Sequence, residues 1–246
     1  MAQIIAILSG KGGTGKTSVC AGVATALSQM GLPVLCIDCD VGLRNLDLSL
    51  GLDQIPSLSF VDMFQEGYGL EFATKHPMFP NLSFLTAPVG CTADMVDADA
   101  FSSFLQQARK RYSYIFLDAA AGIDAGFTLA ARYADRVVLV TGPDPASIRD
   151  ANRAGQALEL MGKTNVRLVV NRLNKKLIAT TGLTVDDIMD QAGLPLLGIV
   201  PDDSNVVLSA AFRQPLLAYT NRGAAAACKR IARRLQGRTV PVTLKK

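Results

Sequence analysis

A glycine-rich loop near the start of the chain carries the residues best suited to phosphate chemistry. Residues 10–17 read Gly-Lys-Gly-Gly-Thr-Gly-Lys-Thr, which matches the phosphate-binding pattern GxxxxGK[ST]. In such a loop, backbone N–H groups surround phosphate oxygens, a lysine reaches the β- and γ-phosphates, and the last hydroxyl ligates Mg²⁺. Lys16 and Thr17 occupy the last two positions. A second lysine, Lys11, lies just inside the first glycine.

The elements on either side of the loop support this interpretation. The apolar run 2–8 is typical of a buried strand, and 17–30 has a helical pattern, so the loop lies between a strand and a helix N-terminus. The loop supplies most of the predicted nucleotide-binding residues, which are Lys11, Gly12, Gly13, Thr14, Gly15, Lys16, Thr17 and Ser18.

Two aspartates follow other apolar runs. Asp118 closes the run Tyr-Ile-Phe-Leu, where P-loop NTPases place the acid that holds Mg²⁺. Asp40 follows Asp38 by two residues at the end of another run. The phosphate end offers no His or Glu to orient an attacking water, so we predict that role for Asp40, with Mg²⁺ contact as the alternative. Thr17, Asp40 and Asp118 are the predicted metal-site residues.

Apolar strand-like runs alternate with helical patterns along the chain, which is typical of βαβ units. The predicted strands are 4–8, 34–38, 82–87, 114–118, 137–141, 167–170 and 197–200, and the predicted helices are 17–30, 58–65, 97–111, 125–133, 145–161, 185–192, 204–212 and 221–235. We predict an α/β fold: a single-domain, doubly wound, mostly parallel sheet with helices on both faces. The domain would span 1–246, with a core of about 2–236 and a short basic C-terminal tail, 237–246.

The composition is that of an apolar globular protein. The 246 residues are 49% hydrophobic and 19% charged, and the net charge is +4. No apolar run approaches the roughly 20 residues of a membrane-spanning helix, and the N-terminus has no signal-peptide pattern. Five scattered cysteines, an odd number, fit a reducing compartment better than a disulfide framework. The expected location is the cytoplasm.

Several motifs together resemble those of one family. The loop KGGTGKT, with its extra lysine, is similar to the deviant Walker A loop of the MinD/ParA ATPases. The run DCDVGLRNLD at 38–47 is similar to the segment that singles out the MinD members, and it is far more specific than the loop. Further similar runs are Asp118–Ile123, Val140–Pro143, Ser147–Asp150, Asn171–Arg172 and Ile199–Asp203.

The resemblance implies an ATPase switch. In these ATPases the lysine corresponding to Lys11 crosses the interface of an ATP-sandwich homodimer and contacts the partner's phosphates, and contacts of that type can be worth about 10³–10⁵ in rate. Lys11, Lys16 and Asp40 are therefore the predicted catalytic residues. The resemblance also implies slow hydrolysis, stimulated by a cell-division regulator or activator protein. The implied process is the spatial regulation of cell division through septum site placement.

Adenine is the expected base. A guanine-reading loop of the NKxD type would place an aspartate at the base edge, whereas the run Asn171-Arg172-Leu173-Asn174 lacks that acid. The family's adenine contact corresponds to Asn171, with Pro201 and its neighbours in the same pocket. Asn171, Arg172 and Pro201 complete the predicted nucleotide-binding residues, and the predicted cofactors are ATP and Mg²⁺.

Two segments depart from the family's pattern. Asp118 is followed by Ala-Ala-Ala-Gly, where MinD members usually carry Ser or Thr and a Pro. The bilayer-inserting amphipathic helix that is usual at the end of MinD members is not expected here, since the tail 237–246 contains a proline and no aromatic residue. The last predicted helix carries Lys229, Arg230, Arg233 and Arg234. Two interpretations of this helix therefore stay open. Its basic face is either simply solvated, or it makes weak contact with an anionic membrane at the inner face of the cell membrane.

Two other classes of function compete with this interpretation. A ParA-like chromosome or plasmid partitioning ATPase would use the basic end to bind DNA without reading its sequence, although DNA is the less favoured partner. Nitrogenase-type iron proteins share the loop, and Cys91 invites comparison with them. Each subunit of such a protein supplies two thiolates, but the region that directly follows Asp118, residues 119–227, contains no cysteine, which argues against a bridging cluster.

Overall fold

All seven predicted strands form in the computed structural model, which describes residues 2–41, 43–65 and 67–243. Gly42, within the run 38–47, therefore lies outside the described residues. The tail residues 244–246 lie outside them as well. Within the described ranges the strands are β1 Gln3–Leu8, β2 Val34–Cys39, β3 Thr74–Lys75, β4 Leu82–Leu85, β5 Tyr114–Ala119, β6 Arg136–Thr141, β7 Val166–Leu173 and β8 Leu196–Pro201. The two-residue strand β3 was not predicted.

The strands form one sheet in the order β3-β4-β2-β5-β1-β6-β7-β8. All neighbouring strands are parallel except β3 and β4, which are antiparallel. The register places Asp38 of β2 and Ile7 of β1 on either side of Asp118 of β5. Because parallel strands end at the same edge of a sheet, the residues that follow β1, β2 and β5 lie close together.

Helices cover both faces of this sheet, as predicted. The described residues form α1 Lys16–Gln29, α2 Leu46–Leu50, α3 Asp62–Gln65, α4 Ala98–Arg109, α5 Ala125–Tyr133, α6 Pro145–Leu160, α7 Lys175–Thr181, α8 Val185–Ala192, α9 Asn205–Ala211, α10 Leu216–Tyr219 and α11 Gly223–Leu235. One hydrophobic core lies between the sheet and α4, α5, α6 and α8. The other lies between the opposite face and α1, α2, α10 and α11. The mostly parallel, doubly wound α/β architecture is confirmed.

One predicted helix, 58–65, is wrong over its first half. The helix α3 contains only 62–65 because the preceding residues pair with the chain after β4: the N–H of Phe60 donates to the carbonyl of Thr86, and the N–H of Thr86 donates to that of Leu58. Ser59 Oγ then accepts from the N–H of Asp62, which starts the short helix. Tertiary pairing outweighs helical periodicity here.

Three short helices, α2, α7 and α10, were not predicted. Each contains four to seven residues, too few for a helical pattern to show in the sequence. Among the described residues, no helix is both long enough and apolar enough to cross a membrane.

Candidate functional site

The loop between β1 and α1 is a backbone cradle that is open on one side. Gly13 and Gly15 have φ angles of 80° and 82°, a left-handed conformation that favours glycine. A Cβ atom on Gly12 or Gly13 would meet no described atom within 4 Å, whereas one on Gly15 would lie 2.3 Å from Asn171 Nδ2. The open side leaves space in which N–H groups of the loop could hold phosphate oxygens.

Lys16 and Asp118 form a buried ion pair beneath the loop. Lys16 Nζ lies 3.1 Å from Asp118 Oδ1, and the two side chains are 6% and 1% exposed. Lys16 Nζ also donates to Thr17 Oγ1 at 3.4 Å. The second carboxylate oxygen, Asp118 Oδ2, is buried and has no hydrogen-bond partner among the described residues. An orphaned carboxylate oxygen near a threonine hydroxyl fits Mg²⁺, which prefers oxygen ligands, so the residues present fit a magnesium nucleotide.

Two carboxyl groups act on the ammonium of Lys16, Asp118 first and then Asp40. A third, Asp38, is the register partner of Asp118 in the sheet. Burial works against that ammonium, but the Asp118 carboxylate outweighs burial and raises the pKa of Lys16. Burial, followed by repulsion from Asp118, raises the pKa of Asp38 to about 7. The negative charge of Asp40 contributes, more weakly, to raising the pKa of both Lys16 and Asp38. One ammonium does not balance the carboxylates of Asp40 and Asp118, so a bound divalent cation would relieve the excess negative charge of the site.

Asp38 holds the loop that carries Asp40. Asp38 Oδ1 accepts from the N–H of Asp40 at 2.9 Å, and Asp38 Oδ2 accepts from the N–H of Leu46 at 3.1 Å. Asp40 Oδ1 in turn accepts from the N–H of Leu43 at 3.2 Å. The sequence reasoning gave Asp38 no role. The signal that could have found it is an aspartate at the end of an otherwise apolar buried strand.

Backbone contacts also tie the segment after Asp118 to the phosphate-binding loop. The N–H of Gly122 donates to the carbonyl of Ser9 at 3.0 Å, immediately before the loop. Asp124 then caps α5 by accepting from the N–H groups of Gly126 and Phe127. The alanine-rich segment that departs from the family's pattern therefore still contacts the entry to the loop.

Lys11 lies in a different environment from Lys16. Its side chain is 39% exposed on the outer side of the loop, and its Nζ atom lies 3.3 Å from Asp144 Oδ1, at the N-terminus of α6. One lysine of the motif is thus buried under the phosphate cradle, and the other is held at the surface.

A cavity of about 600 Å³ opens beside the loop, within the size range of small-molecule sites. It brings together five of the predicted nucleotide-binding residues, which are Gly15, Ser18, Asn171, Arg172 and Pro201. Asn171 Nδ2 donates to the carbonyl of Thr14 at 2.7 Å, so its side chain links the cavity to the loop. The Thr14 hydroxyl is buried without a hydrogen-bond partner in the described part of the chain.

The cavity wall includes two residues of α11 that the sequence reasoning missed. Ala224 and Cys228 of α11 line it together with Asp203, which follows β8. Asp203 Oδ2 accepts from the N–H of Ala224 at 2.8 Å, and this contact fixes the start of α11 against the cavity. A hydrogen bond between residues 21 positions apart leaves no local sequence signal.

Elsewhere in the ranges that the structure describes, clustered acidic residues, histidine or cysteine do not form a metal-binding or redox site. The described residues contain no group of three or more His, Cys, Asp or Glu side chains placed to hold a metal ion. Cys36 and Cys39, which form a CxxC spacing, lie in opposite hydrophobic cores. His76 is buried; its Nε2 lies 2.8 Å from the carbonyl of Leu50, and its Nδ1 accepts from the N–H of Met78.

Comparison with known proteins also indicates a nucleotide-binding protein. A family described as the CobQ/CobB/MinD/ParA nucleotide binding domain matches residues 5–216. The septum site-determining protein MinD of Synechocystis sp. is 36% identical over 244 residues, which cover 98% of this chain and 92% of that protein.

Solved structures agree over the full length. A chain of the MinC:MinD cell division protein complex of Aquifex aeolicus has a TM-score of 0.90 at 33% identity and covers 100% of both chains. MinD of Pyrococcus horikoshii, solved with Mg-ADP, has a TM-score of 0.82 at 27% identity and covers 96% of both chains. With its phosphate-binding loop, its strand-end aspartates and these matches, the chain belongs to the CobQ/CobB/MinD/ParA family of nucleotide-binding proteins.

Proposed function

We propose that this protein is a MinD-type ATPase that dimerises with ATP, acts in placing the septum during cell division, and is reset by hydrolysis. The observation that carries the proposal is the contrast between the two lysines of the loop. Lys16 is buried on Asp118 beneath the phosphate cradle, and Lys11 is held at the surface, where a second subunit could meet it. The near full-length similarity to MinD proteins gives this arrangement its cellular setting.

The nucleotide would bind along the loop and into the adjoining cavity. Backbone N–H groups of 12–17, together with Ser18, would hold the phosphates, with Lys16 at the β- and γ-phosphates. Asn171, Arg172 and Pro201 would contact adenine from the cavity wall. Thr17 and Asp118 would hold Mg²⁺, which neutralises phosphate charge when bound, and the orphaned Asp118 oxygen supports that assignment.

Asp40 is the proposed residue that orients the attacking water, with contact to Mg²⁺ as the alternative. Its loop is fixed by two hydrogen bonds from the backbone to Asp38, so the carboxylate is positioned before any ligand arrives. Phosphoryl transfer depends more on alignment and charge neutralisation than on strong basicity. A positioned aspartate can supply that alignment although it is a weak base. The rate of ATP hydrolysis without a partner protein should be lower than the turnover rates of kinases, which are about 1–100 s⁻¹.

Replacing Asp40 with alanine should leave ATP binding near wild type and lower hydrolysis by about 10²–10⁴, the usual contribution of a positioned acid–base group. Asp40→Asn, which keeps an acceptor for the N–H of Leu43, should behave in the same way. The measurements are ATP affinity by calorimetry and phosphate release. Asp99→Ala, an exposed carboxylate on α4, is the control that should retain hydrolysis. Fast hydrolysis by either Asp40 variant would remove this residue from the mechanism.

We further propose a single domain spanning 1–246 that works with a cell-division regulator. The continuous sheet and the two cores that share it support the one-domain organisation. The Aquifex aeolicus relative was solved in a complex of MinC with MinD, and a regulator of that kind is the proposed partner here. The cytoplasm is the proposed location.

Peripheral attachment to an anionic membrane is the proposed use of the basic end. Residues 204–246 contain nine Lys or Arg and no Asp or Glu. Arg234 is not part of the free surface, because its guanidinium donates to the carbonyls of Leu197, Val240 and Pro241. Lys229, Arg230 and Arg233 line a shallow cavity on the outer side of α11. Arg233 is exposed, whereas Lys229 donates to Asn221 Oδ1 and Arg230 donates a single hydrogen bond to the carbonyl of Thr243. These three remain candidates, and Arg233 is the most accessible of them.

We expect the ATP-bound Asp40→Ala protein to sediment with anionic vesicles and not with neutral ones. Arg230→Glu with Arg233→Glu should reduce this binding strongly, because each basic residue near the surface contributes about 1 kcal/mol. Salt should weaken it. A gel shift of arbitrary duplex DNA, with no vesicle binding at the same protein concentration, would instead support the ParA-like alternative.

A further inference from the structure

The cation proposed to act across the dimer is already paired within its own subunit. Lys11 Nζ lies 3.3 Å from Asp144 Oδ1, and the side chains are 39% and 51% exposed. The two residues are 133 positions apart and come together because β1 and β6 are neighbours in the sheet. The pair therefore belongs to the tertiary structure of the single subunit.

Asp144 is held firmly in place. It is the N-cap of α6, where its carboxylate accepts from the N–H and the hydroxyl of Ser147. Partial burial works against ionisation, but the hydrogen bonds from Ser147 and then from Lys11 outweigh it and lower the pKa of Asp144. The helix carrying Asp144 is itself seated on the loop: a Cβ atom on Gly10 would lie 2.2 Å from the carbonyl oxygen of Asp150.

These contacts create a competition for one ammonium group. Lys11 pairs with a carboxylate in its own subunit, and in the proposed dimer it would contact the partner's phosphates. In the proposed dimer the ammonium would leave Asp144 for the more highly charged phosphates. Each dimer that forms would therefore break two Lys11–Asp144 pairs.

We infer that Asp144 is a positioning residue that retains Lys11 within its own subunit and thereby raises the threshold for ATP-dependent dimerisation. The inference rests on the proposed exchange of Lys11 between subunits. It gives Asp144 a part in the switch that is separate from its capping of α6. Loss of the charge, with the cap retained, would free Lys11 and favour the dimer.

The size of the effect follows from the exposure of the pair. Ion pairs between exposed side chains change an equilibrium constant by a factor of about 1.4 to 5. Two pairs are broken for each dimer, so removal of both should tighten the dimer by about 2- to 30-fold if they act independently. An effect of this size adjusts the switch without replacing ATP as its trigger.

The test compares dimer dissociation constants by sedimentation in the Asp40→Ala background with saturating ATP and Mg²⁺. Asp144→Asn and Asp144→Ser both keep a good N-cap and remove the charge, so both should tighten the dimer. Asp144→Glu should restore the constant toward that of the parent. Asp97→Asn is the matched control, because Asp97 caps α4 through the N–H groups of Asp99 and Ala100 and has no cation partner within the described residues.

The outcomes separate this inference from the proposed function. If the parent dimerises with ATP and both uncharged Asp144 variants match the Asp97→Asn control, the retention by Asp144 is wrong and the dimer switch stands. If the parent does not dimerise, both fail. Melting curves identify a variant that has not folded. If one of the two uncharged variants does not fold, the dimer dissociation constant of the other is compared with that of the control. Tightening by both variants, absent in Asp144→Glu, is the supporting result.

Discussion

Replacing Lys16 with alanine should abolish measurable ATP binding. The side chain supplies the buried ammonium beneath the phosphate cradle, and among the described residues no other cation pairs with Asp118. Without it, Mg²⁺ would be the charge left to separate the phosphates from the carboxylates of Asp40 and Asp118. Charge-assisted hydrogen bonds are the strong ones in such sites, and the variant replaces an attraction with repulsion. Calorimetric titration with ATP and Mg²⁺ measures the loss.

The same variant should be less stable, for a reason that a second substitution can isolate. Removing one partner of a buried ion pair costs about 3–5 kcal/mol, because the remaining charge is left unpaired. Asp118→Asn added to Lys16→Ala should recover much of that stability in denaturant unfolding and should not recover ATP binding. ATP binding by Lys16→Ala near the wild-type affinity would show that the phosphates lie elsewhere. Lys11→Ala is the matched control, because it removes a lysine from the same loop and should still bind ATP.

Lys11→Ala should bind ATP as a monomer and lose hydrolysis. Its side chain lies at the surface in the single subunit and contributes nothing to the buried cradle, so nucleotide affinity should change little. Catalytic cations supplied across an interface are worth about 10³–10⁵ in rate, which is the expected loss relative to the partner-stimulated wild type. Sedimentation with ATP and phosphate release at several protein concentrations measure both effects. Wild-type turnover by this variant would refute the role across the interface.

The parts of the site that the sequence predicts are those set by local pattern. The phosphate-binding loop is one continuous motif, and Asp118 lies near the carboxyl end of its own strand, β5. Because parallel strands end at one edge, Asp40 could also be placed near the phosphates from sequence alone. The fold class followed from the alternation of apolar runs and helical patterns, and the sheet confirms it.

The parts that the sequence did not predict depend on contacts between distant residues. The Lys11–Asp144 pair joins residues 133 apart, and Asp203 reaches Ala224 across the cavity wall. The first half of the predicted helix 58–65 does not form because Phe60 pairs with Thr86, 26 positions further along the chain. Arg234 had been grouped with the free basic residues of α11, whereas the structure uses it to hold the C-terminal segment. Such contacts follow from packing, which periodicity does not report.

The most direct test of the central claim, that each subunit completes the other's ATP site, is a mixing experiment. Lys11→Ala and Asp40→Ala should each hydrolyse little ATP alone. In a mixed dimer, the site that keeps Asp40 receives Lys11 from the Asp40→Ala subunit, so one of its two sites is complete. Mixing equal amounts should therefore restore about a quarter of the wild-type sites if the subunits pair at random, and at most about half if they pair only with each other. Restored phosphate release that rises with the concentration of the second variant is the predicted result. A mixture no more active than the sum of its parts, although mixed dimers are detected by sedimentation, would contradict the account.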